Sequence, residues 1–514
     1  MGTLRARCFD FHAYGDRTVV ADEHGGLRAD ELSSAIAAGA AALVRRGIRP
    51  GDRVAWLGPT AIDTVVGLLA TQAAGAIAVP LNHRHTHAEL AHVVHDSDSA
   101  VIVTHPSMHD RLGEFTRGRT VLSSQEVTTA PAAGTTAPQI EVDDEDPALL
   151  VYTSGTTGKS KGVALSWRAL VSNMSALGTL WQIGPHDRCC VMLPLFHVHG
   201  LCIGVYAMLL GGATIQVLGR FDPGRLIAEV RDNAATVVLG VPTMYVALLE
   251  HLTRAPEDAI ALGRARLFTA GSAALSSATH AAFEAATGHR ILERYGMTET
   301  LITLSNPYEG ERRPGSVGFA LAGVRVRVVD DDGRPVAAGT LGELQVRGNS
   351  LMSGYWRAPE ATAAAFVDGW FRTGDVAVAD ADARLSIVGR TSTDIVKSGG
   401  FKISTLEIED VLREHLLVDD VAVVGVADPR WGERVAAVIA VRAEQSLADI
   451  ISALDAHCRG QLADYKCPRQ WIVVEAVARN AMGKVEKTRL RALIEANYEA
   501  NYEGNADVRR THTQ

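Results

Sequence analysis

Short runs of valine, isoleucine and leucine alternate with amphipathic stretches through the first half of the chain, and no other feature restricts its fold as strongly. "RVAWLG" (53–58) precedes "AIDTVVGLLATQAAG" (61–75), "AIAVPL" (76–81) precedes "HAELAHVVHDS" (87–97), and "AVIVTH" (100–105) follows. A strand-length apolar run followed by a helix-length amphipathic one is the rhythm of βαβ units, which implies parallel sheets covered by helices.

The rhythm changes twice further on. From "GVRVRVVDDDGRPV" (323–336) through "GELQVRG" (342–348) the pattern is of short alternating strands with turn residues between them, the mark of a small antiparallel β unit. Beyond it, "LEIEDVLREHL", "DDVAVVGVAD", "AAVIAVRA" and "ADIISALDAHCRGQL" read as α, β, β and α, a small α+β domain. A chain of 514 residues exceeds the roughly 250–300 at which a single core stops growing. The expected organisation is α/β: a large N-terminal domain over 1–389, a small mobile C-terminal domain over 390–495, and a tail over 496–514. The tail, "ANYEANYEGNADVRRTHTQ", is poor in apolar residues and is expected to be frayed or disordered.

Composition excludes several classes. With 47% hydrophobic and 21% charged residues the chain is that of an ordinary globular protein. Its net charge is −9 and its basic residues are scattered, which argues against a nucleic-acid partner. The six cysteines show no C-x-x-C spacing, so neither a disulfide framework nor a zinc site is expected, in keeping with a reducing cytoplasm. The start, "MGTLRARCFDFHAYGD", has no apolar core of a secretory signal. "LCIGVYAMLLGGATIQVLG" (201–219) approaches the length of a membrane span, but its central Gly-Gly and polar surroundings point to a buried helix-turn-strand.

"VYTSGTTGKSKGVAL" (151–165) sets three glycines, two lysines and a cluster of hydroxyls behind an aliphatic run, which suits an anion. A P-loop needs glycine at position 153, where Thr153 stands, and the following "GVALSW" reads as a strand rather than the helix a P-loop opens. P-loop chemistry is thereby excluded, leaving another anion loop or an exposed turn.

Further motifs stand in order along the chain: "GSAAL" (271–275), "ERYGMTET" (293–300), "GYWRAPEATAAAF" (354–366), "GWFRTGDVAV" (369–378), "GRTSTDIVKSGGFKIS" (389–404) and "RNAMGKVEK" (479–487). Together with the loop they resemble the motif set of adenylate-forming enzymes, the superfamily of acyl-CoA synthetases, adenylation domains and luciferases. Within it, "LPLFHVHGL" (193–201), "GVPTMY" (240–245), "ERYGMTETLITLSNPYEGERRPGSVG" (293–318) and the "KSGG" segment resemble malonyl- and methylmalonyl-CoA synthetases.

The resemblance implies ATP-dependent joining of AMP to a carboxylate with release of pyrophosphate, followed by transfer of the acyl group to coenzyme A. ATP, Mg²⁺ and coenzyme A are the implied co-substrates and cofactor, and a small carboxylic acid is the partner. Two anionic reactants must meet, so donors, lysines and a divalent metal are needed around the phosphates. By position, Thr153, Ser154, Gly155, Thr156, Thr157, Gly158 and Lys161 would hold the β- and γ-phosphates. Gly271, Ser272, Ala273, Tyr295 and Gly296 would line the nucleotide, while Thr298 and Glu299 would meet phosphate and Mg²⁺. Asp375 would accept from the ribose hydroxyls with Arg390 beside it, and Lys484 would bridge the carboxylate and the α-phosphate during adenylation. Ser160 and Ala478 stand where relatives commonly have proline.

The resemblance also assigns the remaining parts. Ser392 occupies the hinge, where most relatives carry Lys or Asp, and Gly399 and Gly400 would face the pantetheine arm after the small domain rotates. Arg294, His197, Val198, Ile302 and Thr303 would line the acyl pocket, and His199 would be structural. A buried guanidinium calls for an anion, so Arg294 either reads a second substrate carboxylate or pairs with Glu293 or Glu299. Outside the family pattern, the H-x-H-x-H spacing is expected to put His83, His85 and His87 on one face of a strand, and His92 and His95 on one helix face. A transition-metal site and a set of exposed histidines are both compatible with that spacing.

The expected function is therefore activation of a short dicarboxylate, malonate or methylmalonate, as its CoA thioester. The alternative is a biosynthetic adenylating enzyme that hands its acid, or another small activated anion, to an acceptor other than coenzyme A. No membrane span is expected, and the expected compartment is the cytoplasm.

Overall fold

The computed structural model describes residues 4–11, 14–128, 140–153, 160–398, 401–428, 430–441, 446–479 and 485–499. The chain forms two compact units, Met1–Val326 with Val346–Phe371, and Arg327–Gln345 with Arg372–Gln514. The architecture is α/β, with a large N-terminal body of sheets and a smaller C-terminal one.

Two sheets build the larger unit. In the nine-stranded one, Leu292–Met297, Leu267–Ala270, Val237–Gly240, Arg188–Val191, Thr214–Val217 and Thr18–Asp22 lie side by side and parallel. Antiparallel strands Leu301–Ser305 and Gly25–Arg28 flank them. In the seven-stranded sheet, Pro147–Thr153, Ile77–Pro80, Arg53–Leu57, Val101–Thr104 and Thr120–Ser123 form the parallel part. Ile77–Pro80, Val101–Thr104 and Val237–Gly240 are buried along their whole length, which explains why they read as continuous apolar runs rather than alternating ones. Helix Ile62–Ala73 is likewise buried from Thr64 to Ala73. Its polar members are satisfied internally, Thr71 accepting from the Trp56 indole at 2.8 Å and Gln72 donating to the Ala148 carbonyl at 3.0 Å.

The 201–219 stretch is a buried helix-turn-strand. A wide-turned helix, His199–Ala207, continues as Met208–Gly211, and Gly212 at φ +81° turns the chain into strand Thr214–Val217. Gly200 is obligatory at the helix start, since a Cβ there would lie 2.3 Å from the Pro194 carbonyl oxygen. Among the described residues no helix is long and apolar enough to cross a membrane.

The histidine-rich segment departs from its expected form. His83 and His85 lie in a turn after strand Ile77–Pro80, and His87 opens helix His87–Asp96, so the three share no strand face. Local hydrogen bonding decides this: Asn82 Oδ1 accepts from the Arg84 amide at 2.9 Å, and Thr86 and Glu89 form a capping box. His92 donates to the Ser160 carbonyl and His95 to that of Ala91. Among the described residues no three His, Cys, Asp or Glu side chains are placed to hold a metal ion.

The smaller unit contains a sheet in the order Phe401–Ser404, Ile395–Ser398, Gly432–Val441, Val418–Asp428, with Gln470–Val474 parallel to Gly432–Val441. Strand alternation sends Val421 and Val423 to one face, against Ile408, Leu412 and Leu454, and Ala422 and Val424 to the other, against Leu490 and Ile494. Helix Lys487–Glu499 extends into the segment expected to be a tail; residues 500–514 lie outside the described residues.

Candidate active site

In the larger unit, strands Pro147–Thr153 and Lys161–Ser166 form a hairpin in which Thr153 stands opposite Lys161. The expected phosphate residues Ser154, Gly155, Thr156, Thr157 and Gly158 lie between them, outside the described residues. Ser166 then caps helix Trp167–Leu180 through the Ala169 amide, so a strand, not a helix, leaves the loop.

A second hairpin, Leu292–Met297 with Leu301–Ser305, carries most of the remaining predicted residues. Arg294 lies opposite Ser305 and Gly296 opposite Ile302, which leaves Thr303 as the extra residue of a bulge. The bulge returns Ile302 to the face of Arg294. Thr303 is fully buried and shares a hydrogen bond of 2.8 Å with the Thr300 hydroxyl.

Arg294 is 5% exposed, and its Nε and Nη2 have no hydrogen-bond partner among the described residues. Burial alone pushes its pKa down to about 10. Neither neighbouring glutamate pairs with it: Glu293 accepts from the Gly315 amide at 2.8 Å, and Glu299 from the Tyr355 hydroxyl at 3.0 Å. The guanidinium lies over Gly271, where a Cβ would approach Cζ to 2.5 Å, so any side chain there would displace the guanidinium from its present position. Ser272, held at φ +69°, shares a hydrogen bond of 3.2 Å with His199 Nδ1. His199 is 5% exposed and its Nε2 is buried without a partner among the described residues. Burial, then the charges of Arg294 and His197, hold its pKa well below the ordinary range, so the imidazole is neutral. His197 and Val198 precede it at the same helix start, with the His197 ring 4.6 Å from that of Phe196. His199, expected from the resemblance to be structural, shares this buried corner with Arg294. Ala273 follows Ser272 at the exposed rim, and Tyr295 and Thr298 are half-buried on the 292–299 segment.

Glu299 is 7% exposed, with its carbonyl accepting from the Met352 amide at 2.8 Å and its Oε1 from Tyr355. The Lys161 ammonium lies 5.1 Å from the centre of the same tyrosine ring. Sequence reasoning did not single out Tyr355; its place in "GYWRAPEATAAAF" was the available signal.

In the smaller unit, Asp375 and Arg390 lie directly opposite on strands Trp370–Ala379 and Leu385–Arg390, with Arg390 Nε donating to Asp375 Oδ1 at 2.9 Å. Arg390 also donates to the Thr373 carbonyl, and its amide donates to Asp394 Oδ2 at 3.0 Å. Thr391 and Ser392 are exposed between these two fixed points. Gly399, Gly400 and Lys484 lie outside the described residues.

The two ends of the segment that carries Lys484 are anchored. Arg479 Nη2 donates to both carboxylate oxygens of Asp420 at 2.8 Å. Lys487, 8% exposed, places its ammonium 2.7 Å from Glu409, 2.7 Å from the Thr405 hydroxyl and 2.8 Å from Asp394. Removing one partner of a buried charge cluster strands the others, at about 3–5 kcal/mol. Lys487→Ala is accordingly expected to destabilise the smaller unit on that scale in urea unfolding, whereas Arg479→Ala, at the surface, should cost about 1 kcal/mol or less. Equal losses in the two variants would contradict the burial assigned to Lys487.

Residues 9–356 match the model of the AMP-binding enzyme family and residues 407–484 that of the AMP-binding enzyme C-terminal domain. The chain belongs to the AMP-binding enzyme family. It is 38% identical to the mitochondrial malonate–CoA ligase of Mus musculus, covering 93% of this chain and 88% of that one. It is 35% identical to the sulfoacetate–CoA ligase of Cupriavidus necator, over 86% and 88% of the two chains. Among solved structures it is similar to ATP-bound MatB from Rhodopseudomonas palustris, with 36% identity, a TM-score of 0.89, and 96% and 99% of the two chains covered.

The family's use of Mg²⁺ fits the residues present. Mg²⁺ is held by one or two carboxylates together with substrate phosphates rather than by an all-protein cage. Glu299 offers one buried, oriented carboxylate, and among the described residues no three His, Cys, Asp or Glu side chains form a cage that would hold the ion without substrate.

Proposed function

We propose that this protein is an acid–CoA ligase that activates malonate with ATP and passes the malonyl group to coenzyme A, releasing pyrophosphate and then AMP. The observation that carries the substrate is Arg294, a buried guanidinium with two unpartnered nitrogens among the described residues and no glutamate to neutralise it. Malonate and sulfoacetate, named in two of the relatives, both set a second anion one carbon from the reacting carboxylate. Such an anion would satisfy the guanidinium through charge-assisted hydrogen bonds.

The remaining chemistry follows from charge. Thr153, the 154–158 loop and Lys161 would hold the β- and γ-phosphates, while Gly271, Ser272, Ala273, Tyr295 and Gly296 line the nucleotide. Asp375, fixed by Arg390, would accept from the ribose hydroxyls. Mg²⁺ bound at Glu299 and Thr298 would neutralise phosphate charge. Lys484 would lie between the attacking carboxylate and the α-phosphate, where an ammonium offsets their repulsion and the charge that develops. His197, Val198, Ile302 and Thr303 would bound the acyl group, Thr303 through its support of the bulge.

After adenylation, the part of the chain from 390 to 495 would turn about Ser392, withdrawing Lys484 and presenting Gly399 and Gly400 to the thiol. Ser392→Pro is expected to leave adenylation near wild type and slow overall turnover several-fold, because proline fixes φ at the pivot. Pyrophosphate exchange against steady-state thioester formation measures this; an unchanged overall rate places the pivot elsewhere. The compartment assigned is the cytoplasm, supported by six buried cysteines, all free.

The test of the function is AMP release with malonate, in the presence and absence of coenzyme A. Malonate-dependent pyrophosphate exchange without CoA-dependent AMP release would instead favour a different acceptor.

A further inference from the structure

Tyr355 touches both Glu299 and Lys161. Its hydroxyl donates to Glu299 Oε1 at 3.0 Å, and its ring lies 5.1 Å beneath the Lys161 ammonium. The residue is fixed by its backbone on both sides. Strand Gly354–Tyr355 pairs with Ala164 and Val163 of the strand leaving the phosphate loop, and the Trp356 amide donates to the Gly162 carbonyl at 2.7 Å. Three residues earlier, the Met352 amide holds the Glu299 carbonyl. The Tyr355 amide donates to the Thr362 hydroxyl at 2.9 Å.

We propose that Tyr355 is a positioning residue that sets Glu299 and Lys161 in register, so that the metal and the phosphates meet a preformed pair. This rests on the reading of Glu299 as the metal's carboxylate and Lys161 as a phosphate lysine. A phenol hydroxyl on an ionised carboxylate is a charge-assisted hydrogen bond that restricts its rotation. A carboxylate free to rotate must be ordered when the metal binds, and loss of such an orienting partner weakens metal affinity by about ten- to a hundredfold. The aromatic face beneath Lys161 stabilises the ammonium where it stands, before any phosphate arrives.

Two substitutions separate the contacts. Tyr355→Phe removes the hydroxyl and keeps the ring; Tyr355→Leu removes both. The readout is Mn²⁺ binding, followed by electron paramagnetic resonance with a nonhydrolysable ATP analogue bound, together with analogue affinity without metal. Tyr355→Phe is expected to weaken Mn²⁺ on the order of tenfold, with metal-free analogue affinity, malonate KM and melting temperature unchanged. Tyr355→Leu should in addition lower metal-free analogue affinity several-fold. Glu299→Gln is measured in parallel. If Glu299→Gln weakens Mn²⁺ and Tyr355→Phe does not, the tyrosine has no positioning role and the proposal falls alone. If Glu299→Gln leaves Mn²⁺ unaffected, the assignment of the metal to Glu299 fails and the proposal with it. A lowered melting temperature with unchanged Mn²⁺ affinity would mark Tyr355 as structural and overturn the proposal.

Discussion

Lys484→Ala is expected to slow malonyl-adenylate formation by roughly two to three powers of ten, the scale of removing one preorganised electrostatic group. The change should fall on kcat for adenylation, because the ammonium is needed as the carboxylate oxygen closes on the α-phosphate and charge accumulates between them. Thioester formation from supplied malonyl-adenylate should change little, since that step joins a thiol to an already activated carbonyl. Global stability should also hold. The ends of the segment are fixed by Arg479 on Asp420 and by Lys487 on Asp394 and Glu409, and neither anchor uses Lys484. Pyrophosphate exchange and single-turnover thioester formation separate the two half-reactions. Equal loss in both would remove the role assigned to Lys484.

How far the fold was legible follows from how local its causes are. Strands buried on both faces announce themselves as continuous apolar runs, as in "AIAVPL" and "AVIVTH", and the unbroken apolar run within "DDVAVVGVAD" reflects the two covered faces of the smaller sheet in the same way. The turn through His83 and His85 was missed because an Asn side chain and a capping box, not periodicity, fix the backbone there. The bulge at Thr303 is invisible in "LITLS", since an extra residue in one strand leaves no mark on its own composition.

The site divides along the same line. Arg294 was legible as a charge that needs an anion, and the structure gives the two neighbouring glutamates other partners, Glu293 the Gly315 amide and Glu299 the Tyr355 hydroxyl. Tyr355 and Glu299 are 56 positions apart, and Lys487 and Thr405 are 82 apart. Pairings at that separation are made by the fold, and nothing in either residue's own neighbourhood announces them. His199 shows the converse case: its motif was read, but only the structure places its buried ring on Ser272 beside the same guanidinium.

Arg294→Ala is expected to lower the ratio of kcat/KM for malonate over butyrate by about thirtyfold or more. Losing one partner of a desolvated charge pair costs on the order of 2–5 kcal/mol, and 1.4 kcal/mol is a factor of ten. The effect has two parts with the same sign. Malonate loses the guanidinium that pairs with its second carboxylate. Butyrate gains, because in the wild type it would bury an alkyl end against a cation that is already 5% exposed and unsatisfied at Nε and Nη2 among the described residues. Gly271 sharpens the test. Arg294 fills the space over that glycine, where a Cβ would approach to 2.5 Å, so alanine at 294 also opens volume that a longer acid can occupy. Arg294→Lys separates charge from volume: it keeps the cation but lacks the planar fork, so malonate should fall partway while butyrate stays poor. If malonate and butyrate decline together in Arg294→Ala, the guanidinium supports the hairpin rather than the substrate. The dicarboxylate reading then loses its physical basis, while adenylation at Glu299, Asp375 and Lys484 stands as a separate proposal.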